Sequence, residues 1–172
     1  MMHISALYKQ VYKRFDGVTP LAADCGKLCD KLCCRGDDES GMCLFPGEAR
    51  LFSDNPNFSV LPTDFTANNK QVKLVVCHGP CRREDRPLAC RIFPLFPSYT
   101  KKDGLQIIFD PRASLCPLTA PEARPFISQE FVRRMESVFS FLVKISEIAA
   151  YLEAMTESFD DYTKLNDYFF NK

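Results

Sequence analysis

Histidine and glycine are scarce in this chain, with two and seven copies respectively. So few histidines leave no Ser/His/Asp arrangement to read, and the glycines fall in none of the spacings that build phosphate- or dinucleotide-binding loops. A surplus of charge is missing too: 22 basic residues cancel 22 acidic ones, which excludes a broad electrostatic grip on nucleic acid or anionic lipid. No apolar run approaches the roughly 18 to 20 residues of a membrane span. The opening MMHISALYKQVYKRF is amphipathic rather than a basic segment followed by an apolar core and a cleavage site. No repeat at a solenoid period and no low-complexity tract is present. These absences predict a cytoplasmic protein with neither a nucleic-acid nor a membrane partner.

What the chain does contain is cysteine, nine of them in 172 residues. With 46% hydrophobic and 26% charged residues, the chain can bury a real core as a single domain spanning residues 1–172. It therefore does not need cross-links merely to stay folded. In a reducing compartment, clustered cysteines point to metal binding before stable disulfides, and the odd count argues against a fully paired framework. A redox pair and simple buried thiols are the alternatives.

Ile4, Leu7, Tyr8, Val11, Tyr12 and Phe15 recur at helical spacing, predicting a helix over 3–16 that Gly17 ends. Thr19-Pro20 reads as a cap and first turn, predicting a second helix through Leu21, Leu28 and Leu32. On such a helix Cys25, Cys29 and Cys33 would share one face, with neighbouring Cβ atoms about 5–6 Å apart. Phe58 to Phe65 and Val72 to Cys77 flank TANNKQ and predict a hairpin, with Leu105 to Phe109 a further strand. Between them, CHGPCRREDRPLACRIFPLFP carries one glycine and four prolines, which forbids a long regular helix. From 128 to 157, Phe131, Met135, Val138, Leu142, Ile145, Ala149 and Leu152 alternate steps of four and three, predicting one long helix. That helix packs on the first one within the same molecule; a homodimer or protein partner bound through it is the alternative. The fold class is α+β, mainly helical, with a small antiparallel sheet and an irregular cysteine-rich centre at about 25–116.

Two blocks carry the chemistry: Cys25, Cys29, Cys33 and Cys34, then Cys77, Cys81 and Cys90, with Cys116 following as LCP. Tetrahedral zinc and iron–sulfur clusters both commonly take four thiolates from separated segments, so these eight residues could fill two sites. Adjacent Cys33 and Cys34 point in different directions on a helix, so either one is structural or each faces a different site. Arg82, Arg83, Arg86 and Arg91 lie close in sequence to the second block and could offset surplus thiolate charge. The alternative is that some pair with Glu84 and Asp85 at the surface. His78 is a secondary candidate as a nitrogen ligand, and Glu48 reads as a simple first-turn acid.

CGKLCDKLCCRG, then FPGEARLF, CHGPCRREDRPLACRIFPLFP and LCP, resemble the bacterial cysteine-cluster family of CxxCxxCC type. That family is described as zinc- or iron-chelating domains and includes flagellin lysine N-methylases; RPLACRIFP, Arg86 to Pro94, is the most specific match. The resemblance covers roughly residues 25 to 116. It implies Cys25, Cys29, Cys33, Cys34, Cys77, Cys81, Cys90 and Cys116 as metal ligands, Glu48 as the matching acid, and zinc or an iron–sulfur cluster as cofactor. This chain differs in placing three residues between the cysteines of the first block where the family has two. The expected function is metal binding through the clustered cysteines. Lysine N-methylation of the flagellin type and a metal-stabilised protein-interaction module are the alternatives, and no catalytic residue is assigned.

Overall fold

The computed structural model describes residues 4–34, 41–79 and 82–170, with the side chains of 165–170 excepted. Cys81 and His3 lie outside the described residues. Helix α1, Ile4–Arg14, buries Leu7, Tyr8 and Val11 along its apolar stripe, and Gly17, at φ +72°, turns the chain away just beyond it. Tyr8 donates from its hydroxyl to the Pro46 carbonyl at 2.9 Å. Buried Phe15 meets Phe131 edge to face, their centroids 6.2 Å apart.

The helix expected over 20–34 does not form. Two short 3-10 turns, Cys25–Lys27 and Leu32–Cys34, stand in its place. Between them Asp30 and Lys31 adopt left-handed φ values of 49° and 56°. Short helices draw most of their stability from packing an apolar face, and Leu28 from the expected stripe is 64% exposed. With only part of its apolar stripe packed against the core, and with Gly26 in its middle costing about 1 kcal/mol relative to alanine, the segment folds as a loop. Asp24 caps that loop by accepting from the Gly26 amide at 3.1 Å.

The expected hairpin is present and longer than its β-branched runs suggest. β2, Phe58–Ala67, and β3, Lys70–Cys77, pair antiparallel after β1, Met42–Cys43, which borders β3, giving the order β1-β3-β2. Asn68 and Asn69, at φ 49° and 58°, make the two-residue turn, the conformation that suits the twist of a tight hairpin. A side chain at Gly41, just before β1, would put its Cβ 2.2 Å from the Val75 carbonyl oxygen.

After the short helix α2, Leu88–Ile92, come β4, Leu95–Thr100, and β5, Gly104–Phe109, which form a second, two-stranded antiparallel sheet. β4 falls where the prolines predict an irregular course, and it contains Pro97. In a two-stranded ribbon, however, each strand has an edge that needs no ladder donor.

The long helix expected over 128–157 is two helices, α3, Gln129–Leu142, and α4, Ser146–Phe170. Ser128 caps α3 by accepting from the Phe131 amide. The break at 143–145 moves the chain from β5, on which α3 packs, to β4, on which α4 packs. Of the predicted stripe, Phe131, Met135, Val138 and Leu142 before the break and Leu152 after it are buried, while Ile145 and Ala149 are only partly buried and Ile148 takes the buried position beside them. α3 also packs on α1. The main core draws on these helices and on Phe45, whose ring lies 5.0 Å from Tyr151 and 5.7 Å from Phe139. Leu44, Phe52, Phe58 and Val75 form a second, smaller cluster beneath the three-stranded sheet. The fold is thus α+β with antiparallel sheets. Among the described residues no helix is long and apolar enough to cross a membrane.

Candidate functional site

The loop over 18–34, the end of β3, helix α2 and the segment after β5 surround one cavity of ≈ 380 Å³. Its lining includes Cys25, Cys29, Cys33, Cys34, Cys77, Cys90 and Cys116. Residues spread over more than half the chain therefore bring their thiols to one place. Cys43, which matched no pattern in the sequence, sits on β1 beside Arg112, where burial pushes its thiol above the ordinary range and a hydrogen bond from that arginine opposes the shift. His78 is committed elsewhere, its Nε2 sharing a hydrogen bond with Ser59 Oγ at 2.7 Å.

The cysteines reach the cavity by different routes. Cys77 is the last residue of β3 and packs against the smaller core cluster. Cys90 rides on α2, two residues on from buried Leu88 and next to buried Arg91. Cys116 is set by a run of tight turns in which its amide donates to Ala113 at 2.8 Å and its carbonyl accepts from the Thr119 hydroxyl at 2.8 Å. Adjacent Cys33 and Cys34 place their sulfurs 4.0 Å apart.

Burial raises the Cys25 thiol, with Cys33 adding to the effect and Arg83 opposing it. Burial likewise raises Cys116, against a hydrogen bond from the Leu118 amide. Both groups are therefore protonated thiols in the metal-free chain at neutral pH.

The four candidate arginines divide. Arg83 and Arg86 line the cavity. Burial lowers the Arg83 pKa, with Arg86 adding to the effect and Cys25 opposing it. Arg83 Nε is buried without a hydrogen-bond partner among the described residues, while the same guanidinium donates through NH2 to the Val18 carbonyl at 2.9 Å. A half-buried cation with donor capacity to spare is suited to offset thiolate charge. Arg82 takes the surface role, pairing with Asp85 at 2.9 Å and Glu84 at 3.4 Å. Arg91 is structural: it stacks over Tyr12 at 4.3 Å, donates to the Arg86 and Glu84 carbonyls and pairs with Asp16.

Glu48 lies behind the cavity wall rather than on it. It opens the 3-10 turn Glu48–Leu51 and is 0% exposed. Its Oε1 accepts from the Tyr12 hydroxyl and from the Leu88 amide at 2.7 Å, and its Oε2 accepts from the Phe45 amide at 3.0 Å. Leu88 begins α2, so this carboxylate takes up one of the amides that a helix start leaves without a partner and holds the element that carries Cys90.

Sequence reasoning missed Asp110 and Arg112, which also line the cavity. They form a two-pronged pair at 2.9 and 2.7 Å, with Asp110 nearly buried. The DPR turn directly after β5 was the available signal, since aspartate commonly folds back onto an amide two residues on, as it does here with Arg112 at 2.9 Å.

Thiolates suit zinc, copper(I) and iron–sulfur clusters, and disfavour magnesium and calcium. As the chain is folded, no group of three or more His, Cys, Asp or Glu side chains among the described residues stands close enough to hold a metal ion. No family model matches this chain, and neither a curated protein nor a solved structure matches it.

Proposed function

We propose that this protein binds zinc or an iron–sulfur cluster through its clustered cysteines, and that the bound group organises the irregular segments between residues 18 and 118. The observation that carries this reading is the convergence of seven thiols on one cavity that also holds the half-buried Arg83. The donor set fits the group chemically: soft thiolates from several segments, with a guanidinium to balance their charge. Irregular backbone rich in proline gains most from such a centre, because metal binding adds directly to folding free energy.

Protein purified without oxygen should contain stoichiometric metal. Elemental analysis with an ultraviolet–visible spectrum tests this: iron with a brown colour selects a cluster, zinc without colour the single-ion form. Finding neither overturns the proposal.

A pH dependence follows from the raised thiols. Because Cys25 and Cys116 hold their protons above the ordinary thiol range, each must release one on binding. The apparent zinc affinity should then rise with pH, by about tenfold per unit for each proton released. Competition against a chelator between about pH 6 and about pH 8, where free thiols remain protonated, measures the slope. A flat profile would show that these two thiols are not ligands.

A further inference from the structure

Independently of whether a metal binds, we propose that the cavity behind the cysteine loop takes a small amphipathic carboxylate, its anionic head held by Arg83 and its apolar body lying along the cavity walls toward Leu28 and Leu115.

The walls come first. A space of ≈ 380 Å³ falls within the range of small-molecule sites. Val75 of β3, Phe93 at the end of α2 and Leu118 in the turn after Cys116 all line it, and Val75 and Leu118 are buried. Leu28 and Leu115 line the same cavity while 64% and 73% exposed. Two large apolar side chains left in water mark its mouth, and covering them favours an occupant with an apolar body.

Charge comes second. Among the described residues that line the cavity, the charged side chains are Arg83, Arg86, Arg112 and Asp110. Asp110 is taken up by Arg112 in the two-pronged pair, which leaves the lining with a positive balance. Arg83 opens the 3-10 turn Arg83–Asp85 and Arg86 closes it, the Arg86 amide donating to the Arg83 carbonyl at 3.2 Å. Side chains three apart on such a turn lie one above the other, so both come to line the cavity. Arg83 NH2 donates to the Val18 and Arg91 carbonyls at 2.9 and 3.4 Å, both neutral acceptors, and its Nε is buried with no hydrogen-bond partner among the described residues. A half-buried cation held by neutral carbonyls gains from an anion that a ligand brings in. Free thiols are largely protonated at neutral pH, so in the metal-free chain the cysteines do not supply that anion. A single guanidinium with its planar fork matches one carboxylate.

Isothermal titration calorimetry on the full metal-free chain, with octanoate, octanol and acetate as probes, tests the site. Octanoate should bind saturably at one molar equivalent. Octanol, which lacks the charge, should bind at least about tenfold more weakly, the loss of one charge-assisted hydrogen bond. Acetate, which lacks the apolar body, should be weaker than octanoate by at least about tenfold as well. Arg83→Gln should lower the octanoate affinity to that of octanol and leave octanol at its wild-type affinity, which also shows that the cavity still forms. Arg82→Gln, at an exposed arginine paired with Asp85, should change neither. The wild-type comparison decides by itself: octanol or acetate binding as tightly as octanoate, or no octanoate binding at all, overturns the carboxylate site. A chain that purifies without metal yet prefers octanoate sinks the metal-binding reading alone, and a metal-containing chain whose metal-free form shows no such preference sinks the carboxylate site alone.

Discussion

Cys29→Ser is expected to purify with only a small fraction of the wild-type metal and to melt far below it, whereas Cys43→Ser keeps its metal. A ligand that binds only the folded chain stabilises it by about 4 kcal/mol when its concentration is a thousand times the dissociation constant. For a domain of this size each kcal/mol moves the melting temperature by about 2–4 °C, so losing the metal should lower it by about 8–16 °C. The effect would be that large because a bound ion would tie together two segments that line the cavity without sharing a ladder or helix, the cysteine loop ending at Cys34 and the turns around Cys116. Cys43 belongs to β1 and faces Arg112. A serine there retains an acceptor for that arginine, so its cost should stay near about 1 kcal/mol. Metal analysis and calorimetry on the two variants decide the matter. Metal lost from Cys43→Ser and retained by Cys29→Ser would show that the thiols have been assigned wrongly.

The regular parts of this fold were legible wherever an apolar period coincided with a buried surface. Helix α1 was readable for that reason, as was the stripe from Phe131 to Leu152. The break between α3 and α4 was not, because no glycine or proline marks 143–145. Cysteine spacing misled over 20–34. Steps of four mimic a helix, but the segment buries too little apolar surface to hold one, and the left-handed pair at Asp30 and Lys31 carries no glycine to announce it.

At the site, the cysteines that line the cavity were visible in the sequence because thiols are rare and were crowded. The contribution of Asp110 and Arg112 was not, since a charged pair in a turn looks like any solvated loop until its burial is known. The roles of Arg82, Arg83, Arg86 and Arg91 could not be separated either. Neighbours in sequence, they face the surface, the cavity and the core according to how the 3-10 turn at Arg83–Asp85 and helix α2 direct them.

Glu48→Ala should destabilise even the metal-free protein by about 3–5 kcal/mol, the cost of deleting one member of a buried, charged hydrogen-bond network. Three donors converge on this carboxylate, from Tyr12, Phe45 and Leu88, and all three lose their acceptor inside the protein. Glu48→Gln separates charge from shape. Its oxygen can serve either the Tyr12 and Leu88 side or the Phe45 side, and its amide then opposes an N–H on the other, a mismatch worth about 1–3 kcal/mol. Burial raises the Glu48 carboxyl above the ordinary range, with the hydrogen bonds from Tyr12, Leu88 and Phe45 opposing it. The folded chain consequently keeps this proton through a pH window in which the unfolded chain has already released it. The contribution of Glu48 to stability therefore declines as pH rises from the ordinary carboxyl value through the raised one, and Glu48→Gln, with no proton to lose there, should flatten that slope. Because Leu88 opens the helix that carries Cys90, both variants should also leave the Cys90 thiol more open to alkylation. Urea unfolding of metal-free protein across the acidic range reads stability and slope together. A Glu48→Ala stability within about 0.5 kcal/mol of the wild type, the level of an ordinary surface change, would show that this carboxylate does not hold α2 in place.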